Sequence, residues 1–185
     1  GISYDLNIRM NAPNQTSDKT ALRVAVLAGG QSAEANVSRR SAAEIHNALI
    51  ASGHDSNVIE LDHDCVLTLL ELQPDVVFPA LHGPPGEDGT IQGLLETMGL
   101  PYVGSGVRGS ALAMDKVIAK SVFRTHNLPV SPERVVGADM ELKTAVAEIE
   151  STFGDTVAIK PLNAGSAIGV QLLPEGGDLQ AALAA

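Results

Sequence analysis

Hydrophobic and polar positions alternate along this chain in blocks that predict strands and helices in turn. Leu22–Ala28 is an apolar run closed by Gly29-Gly30, and it reads as a buried parallel strand. Ala33–Ala51 predicts a helix with Val37, Ser41, Ile45, Ala48 and Leu49 on one face and Gly53 as its stop. Asn57–Leu61 predicts a second strand, Val66–Leu72 a short helix and Asp75–Ala80 a third strand behind the breaker Pro74. Leu81–Gly89 is a loop, Thr90–Met98 a helix stopped by Gly99, and Pro101–Val103 a short strand. This rhythm argues for a parallel α/β sheet with right-handed crossovers. Ligands in such sheets sit beyond the carboxyl ends of the strands. The Gly29-Gly30 turn and the 81–89 loop should therefore border one cleft.

The pattern changes after residue 105. Gly106–Asn127 is helical with a break near Met114-Asp115, where Asp115 would cap the second part. Val130–Val136 looks like a strand, and Asp139–Ser151 is an amphipathic helix with Leu142, Val146 and Ile149 inward. Val157–Lys160 and Gly169–Leu173 predict a hairpin around a loop of small residues, and Asp178–Ala185 begins another helix. Three units are expected: a flexible tail over 1–20, an α/β domain over 21–105, and an incomplete second domain over 106–185. The last leaves an open sheet, so the chain is expected to be a fragment or to have a partner half elsewhere.

Composition narrows the chemistry. The 185 residues carry a net charge of −10, which disfavours nucleic acid and anionic membranes as partners. No apolar stretch approaches the roughly 18 residues of a membrane span, and residues 1–20 lack a secretory core. Cys65 is the only cysteine, which excludes an internal disulfide and fits a reducing compartment. An anionic ligand would need local lysines and backbone N–H groups.

Four segments hold candidate chemistry. Glu34 follows a glycine turn at a helix start, where it is either a functional carboxylate or an ordinary helix-start acid. His82 lies at the carboxyl end of a strand before a glycine-rich loop, as a ligand or as a packing residue, with Glu87 able to orient its ring. Asp88 reads as the N-cap of the next helix. Lys116 occupies a first helical turn, where a cation opposes the macrodipole unless an anion compensates or solvent screens it. Lys160 stands at the root of a hairpin whose loop, with Ser166, presents N–H groups suited to phosphate, or is a plain glycine-rich hairpin. The order differs from a P-loop, in which the glycines precede the lysine. His46, His54, His63 and His126 have no metal-ligand spacing, and Cys65 reads as a small buried hydrophobe.

The segments Val26–Gly30 with Ser32-Ala33-Glu34 and Val37-Ser38, His82-Gly83 with Gly86–Gly93, Tyr102–Gly106 with Met114-Asp115-Lys116, and Ile159-Lys160-Pro161 with Gly165-Ser166 resemble, in order and spacing, the D-alanine–D-alanine ligases of the ATP-grasp superfamily. The resemblance covers about residues 22–173. It implies a Rossmann-like parallel-sheet domain followed by an incomplete α+β ATP-grasp subdomain. It also implies a cytoplasmic enzyme that joins two D-alanines for peptidoglycan with ATP and Mg²⁺, through an acyl phosphate, and often as a homodimer.

By position, the resemblance implies that Glu34 anchors the ammonium of the first D-alanine, beside Val37. His82 would lie near the substrate carboxylate with Glu87 behind its ring. Lys116 and Lys160 would hold ATP phosphates. Ser166 would bond towards Glu34 and close the lid, with the Ala167 N–H also at phosphate. No metal ligand is expected within this chain, which alone should be inactive. Ala35-Asn36 and Ala167 depart from the family's usual charged pair and second serine. Two alternatives stand beside this reading: a related ligase with D-lactate or D-serine as acceptor, and a non-catalytic binding or oligomerisation module.

Overall fold

The computed structural model describes residues 21–154 and 156–184. The tail expected over 1–20 lies outside the described residues. Strand β1 (Arg23–Ala28) is the centre of a three-stranded sheet of order β2-β1-β3, parallel to β2 (Asp55–Glu60) and β3 (Val76–Pro79). Its unbroken apolar run follows from cover on both faces. Ala25 and Leu27 face a cluster with Ile59, Cys65, Leu69, Val77, Ile91 and Leu95. Val24, Val26 and Ala28 face Ala42 and Ala80, with Ile45 and Leu49 packed alongside. Helix α1 (Ala35–Ala51) supplies the second cluster; α2 (Cys65–Leu72) and α3 (Thr90–Thr97) supply the first. Burial raises the Cys65 thiol pKa, as expected of a small core hydrophobe.

Three expectations about this part are corrected. The inward stripe of α1 is Ser38, Ala42, Ile45 and Leu49, whereas Val37 and Ala48 are exposed. The helix is rotated because the Ser38 hydroxyl finds backbone partners below it. Pro101–Val103 forms a single bridge, Val77 with Tyr102, since Pro101 has no N–H to extend the ladder. Gly89 holds the N-cap position of α3 at φ +94°, and Asp88 caps from one residue earlier by accepting Thr90 N–H at 3.0 Å.

Helix α4 (Val107–Met114) packs on α3, bringing Val107 against Gly89 and Gly93. Asp115 ends it and caps α5 (Lys116–Thr125), accepting the N–H groups of Val117 and Ile118 at 2.9 Å each. Beyond lie α6 (Leu142–Phe153), the antiparallel hairpin β4 (Val157–Ile159) and β5 (Gln171–Leu173), and α7 (Leu179–Ala184). Ile149, Leu173 and Leu179 are the centre of its small core.

The strand expected over Val130–Val136 is absent. Pro132 breaks any donor row, and no strand among the described residues stands beside the segment. Ion pairs hold it instead. Lys120 reaches Glu133 at 2.7 Å and the Ser131 carbonyl at 3.0 Å, Arg124 also pairs with Glu133, and Arg134 pairs with Glu148 on α6. The hydrogen bonds from Lys120 and Arg124 keep the Glu133 carboxyl below the usual carboxylate range.

Candidate active site

The cleft forms where β1 and β3 end. Gly29 turns the chain at φ +73°, and its N–H donates to Ser38 Oγ at 2.8 Å. The Ser38 hydroxyl donates in turn to the Ala80 carbonyl at 2.7 Å, and the residue is 0% exposed. One hydroxyl thus ties the β1 turn, α1 and the end of β3 together. Ser32 repeats the tie nearer the surface: it donates to the His82 carbonyl at 2.8 Å and accepts Glu34 N–H at 3.2 Å. The two loops expected at one cleft are therefore joined across it.

Glu34 sits at the N-cap position of α1 and is only 5% exposed. Its carboxylate lies between two glycines. A Cβ on Gly83 would come within 2.6 Å of Oε2, and one on Gly165 within 3.3 Å. Gly165 belongs to the β4–β5 loop, so the second unit reaches the first at this carboxylate. Gly83 also has φ +67°, where L side chains are strained. Gly83→Ala is expected to cost about 1–3 kcal/mol of stability, read as a lowered urea midpoint at unchanged slope. An unmoved midpoint would show that the loop yields freely.

Glu87 takes a different place from the one expected. Its Oε2 accepts the Gly83 N–H at 2.7 Å, while the His82 ring pairs through Nε2 with Ser41 Oγ at 3.2 Å. Glu87 shapes the loop backbone because a carboxylate four residues ahead closes on a free N–H more readily than on a ring held by α1. Gln92, buried on α3, donates to the Gly86 carbonyl at 2.8 Å and fixes the same loop. Val37 is exposed in the first turn of α1.

The lysines occupy contrasting settings. Lys116 Nζ donates to the carbonyls of Leu162 at 3.1 Å and Ala164 at 2.6 Å, so it ties the start of α5 to the hairpin loop. Lys160 follows β4 directly, is exposed, and has no ion pair among the described residues. Ser166 and Ala167 take left-handed φ of +46° and +59° at the loop tip. Ile168 N–H donates to Gly165 O at 3.0 Å and Val170 N–H to Ala167 O at 3.1 Å, making two successive turns. No hydrogen bond joins Ser166 to Glu34 among the described residues; the hairpin meets that carboxylate through Gly165.

The structure brings together Glu34, the His82-Gly83 loop and the Gly165 loop, with Lys116 securing the last. Ser32, Ser38 and Ser41 were not singled out by role in the sequence. The signal for Ser38 was its i, i+4 spacing with Ala42, which a count of apolar residues passes over. Among the described residues no three His, Cys, Asp or Glu side chains form a metal cradle, and no helix is long and apolar enough to cross a membrane.

Residues 67–105 match the family model described as the D-ala D-ala ligase N-terminus. The chain is 46% identical to the D-alanine–D-alanine ligase of Geotalea uraniireducens over 161 residues, 87% of this chain and 51% of that protein. It is 41% identical to the one from Moorella thermoacetica, over 88% of this chain and 54% of that protein. The D-alanine–D-alanine ligase structure from Coxiella burnetii superposes with a TM-score of 0.73 at 28% identity, covering 88% of this chain and 58% of that one. The Bacillus anthracis ligase complexed with ATP gives 0.66 at 28% identity, covering 89% and 54%. The chain spans about half the length of the curated relatives it matches. The shared fold is an α/β parallel-sheet domain leading into an ATP-grasp domain. By sequence over most of its length and by fold, the chain is similar to the D-alanine–D-alanine ligases over about half of theirs.

Proposed function

We propose that this chain supplies the substrate-anchoring part of an enzyme that joins two D-alanines with ATP, for peptidoglycan precursors. The observation that carries the reading is the buried Glu34 carboxylate held between Gly83 and Gly165. A carboxylate so placed is a candidate anchor for an ammonium, and neither neighbouring glycine carries a side chain that would crowd it. We read residues 21–105 as the domain that binds this amino acid and 106–185 as the beginning of the nucleotide-binding domain.

In this reading Glu34 holds the first D-alanine by its ammonium, with Val37 beside the methyl and His82 towards the carboxylate. That carboxylate attacks the γ-phosphorus of ATP, forming an acyl phosphate and releasing ADP. The amine of the second D-alanine attacks the acyl carbon, and phosphate leaves with the former carboxylate oxygen. Catalysis of this kind is positioning and charge stabilisation. Lys160 is exposed and free to turn to phosphate. Lys116 uses two of its three N–H donors on loop carbonyls, which leaves one for a phosphate oxygen. The Ser166-Ala167 tip would cover the phosphates with its backbone. Mg²⁺, when bound, would screen their charge; its ligands would come from outside the described residues. A cytoplasmic location, where ATP is available, and a homodimer belong to the same reading.

The test is D-alanine-dependent ADP release by the full natural polypeptide carrying this sequence, with product identified against D-lactate and D-serine competitors. Lys160→Ala is expected to lower kcat about 10²- to 10³-fold, the usual loss of one charge-stabilising donor. The 185-residue chain alone is expected to be silent. Silence of the full polypeptide with every D-amino and D-hydroxy acid would refute the reading.

A further inference from the structure

The turn that delivers Glu34 is gripped from outside by a carboxylate with no role in the reaction above. Glu60 is the last residue of β2. Its Oε1 accepts the Gly30 N–H at 3.3 Å, and its carboxylate lies so close to Gly29 that a Cβ there would have to push it aside. Arg39 on α1 holds Glu60 with both prongs of its guanidinium, Nη2 to Oε1 at 2.6 Å and Nε to Oε2 at 3.1 Å. The third nitrogen, Nη1, donates to Asn36 Oδ1 at 3.0 Å on the same helix. The fork therefore fixes the carboxylate in plane and direction. Glu34 lies on the short path between the two gripped points, four residues after Gly30 and five before Arg39.

We propose that Glu60, aimed by Arg39 and Asn36, is a positioning residue for Glu34 and thereby tunes affinity for the first amino acid. An ordinary surface ion pair contributes little. This pair differs in that its acceptor also binds a backbone N–H of the turn, so losing it frees the turn as well as a side chain. It also gives Asn36 a function, since its amide oxygen accepts from Arg39. Ser38 secures the turn from beneath through Gly29, and Glu60 secures it from above through Gly30, which leaves Glu34 little freedom.

The inference rests on the ligase reading, and two measurements on the full natural polypeptide separate the two. The first is steady-state kinetics. Glu60→Ala and Arg39→Met are expected to raise the D-alanine KM about five- to tenfold, the ratio that a loss of roughly 1 kcal/mol produces, with the ATP KM unchanged. Glu60→Gln, which still offers an acceptor to Gly30, should restore most of that loss. Equal changes in both KM values, or none, would overturn the proposal. The second needs no activity: amide exchange at Gly30 and the side-chain carboxyl ¹³C resonance of Glu34. Both should change in Glu60→Ala and stay put in the exposed control Glu44→Ala. If the wild type is inactive, the ligase reading falls and this second measurement decides the inference: unmoved Gly30 and Glu34 signals would end it.

Discussion

Under the proposed ligase reading, Glu34→Gln in the full natural polypeptide is expected to raise the KM for D-alanine roughly 100-fold, because breaking one side of a buried ionic contact costs about 3 kcal/mol or more. Glutamine keeps the volume, so the Gly83 and Gly165 contacts survive and folding should be little affected. What disappears is the negative charge. The Glu34 residue is 5% exposed, and a substrate ammonium would give its carboxylate charge-assisted hydrogen bonds that it does not make among the described residues. The ATP KM should stay within about twofold, since uniform binding of one substrate is lost. Steady-state kinetics with each substrate varied in turn would check this. A fall in kcat at unchanged D-alanine KM would move Glu34 from anchoring to the chemical step.

Ser38→Ala is expected to be the most destabilising conservative change in the parallel-sheet unit. Its hydroxyl is the partner of both the Gly29 N–H and the Ala80 carbonyl, and all three lie in the interior. Alanine leaves a donor and an acceptor unsatisfied, at about 1–3 kcal/mol each, so roughly 2–6 kcal/mol in total. For a chain of this length that lowers the thermal midpoint by about 4–24 °C. Ser38→Cys should fall between, because a thiol bonds weakly in the same place. Thermal unfolding followed by far-ultraviolet circular dichroism would read both. A midpoint within a degree of wild type would mean that water replaces the hydroxyl.

Much of the fold was legible in the chain. The β1 run, Gly29-Gly30 and the alternating blocks to residue 99 became a parallel sheet with helices on both faces. Local rules were enough there, since a strand buried on both faces must be apolar throughout and a helix must end where glycine or proline ends it. Asp115 shows the same locality: a carboxylate before a helical stretch caps it. The Val130–Val136 reading failed because β-branched residues state a preference that only a neighbouring strand can realise. Here α5 and α6 offer charges instead, and the segment follows them.

Sequence spacing alone thus determined most of the elements up to residue 99, the net acidic charge, and the candidates Glu34, His82, Lys116 and Lys160, because each depends on residues near one another in the chain. Tertiary structure decided their partners. It gave His82 to Ser41 and Glu87 to Gly83, sent Lys116 to the Leu162 and Ala164 carbonyls, and set Gly165 against Glu34 across 131 positions of chain. It also turned Ser38 inward and Glu60 over the turn. A polar side chain in the interior goes wherever a backbone group is left unpaired. Which groups those are is known only once distant segments have packed.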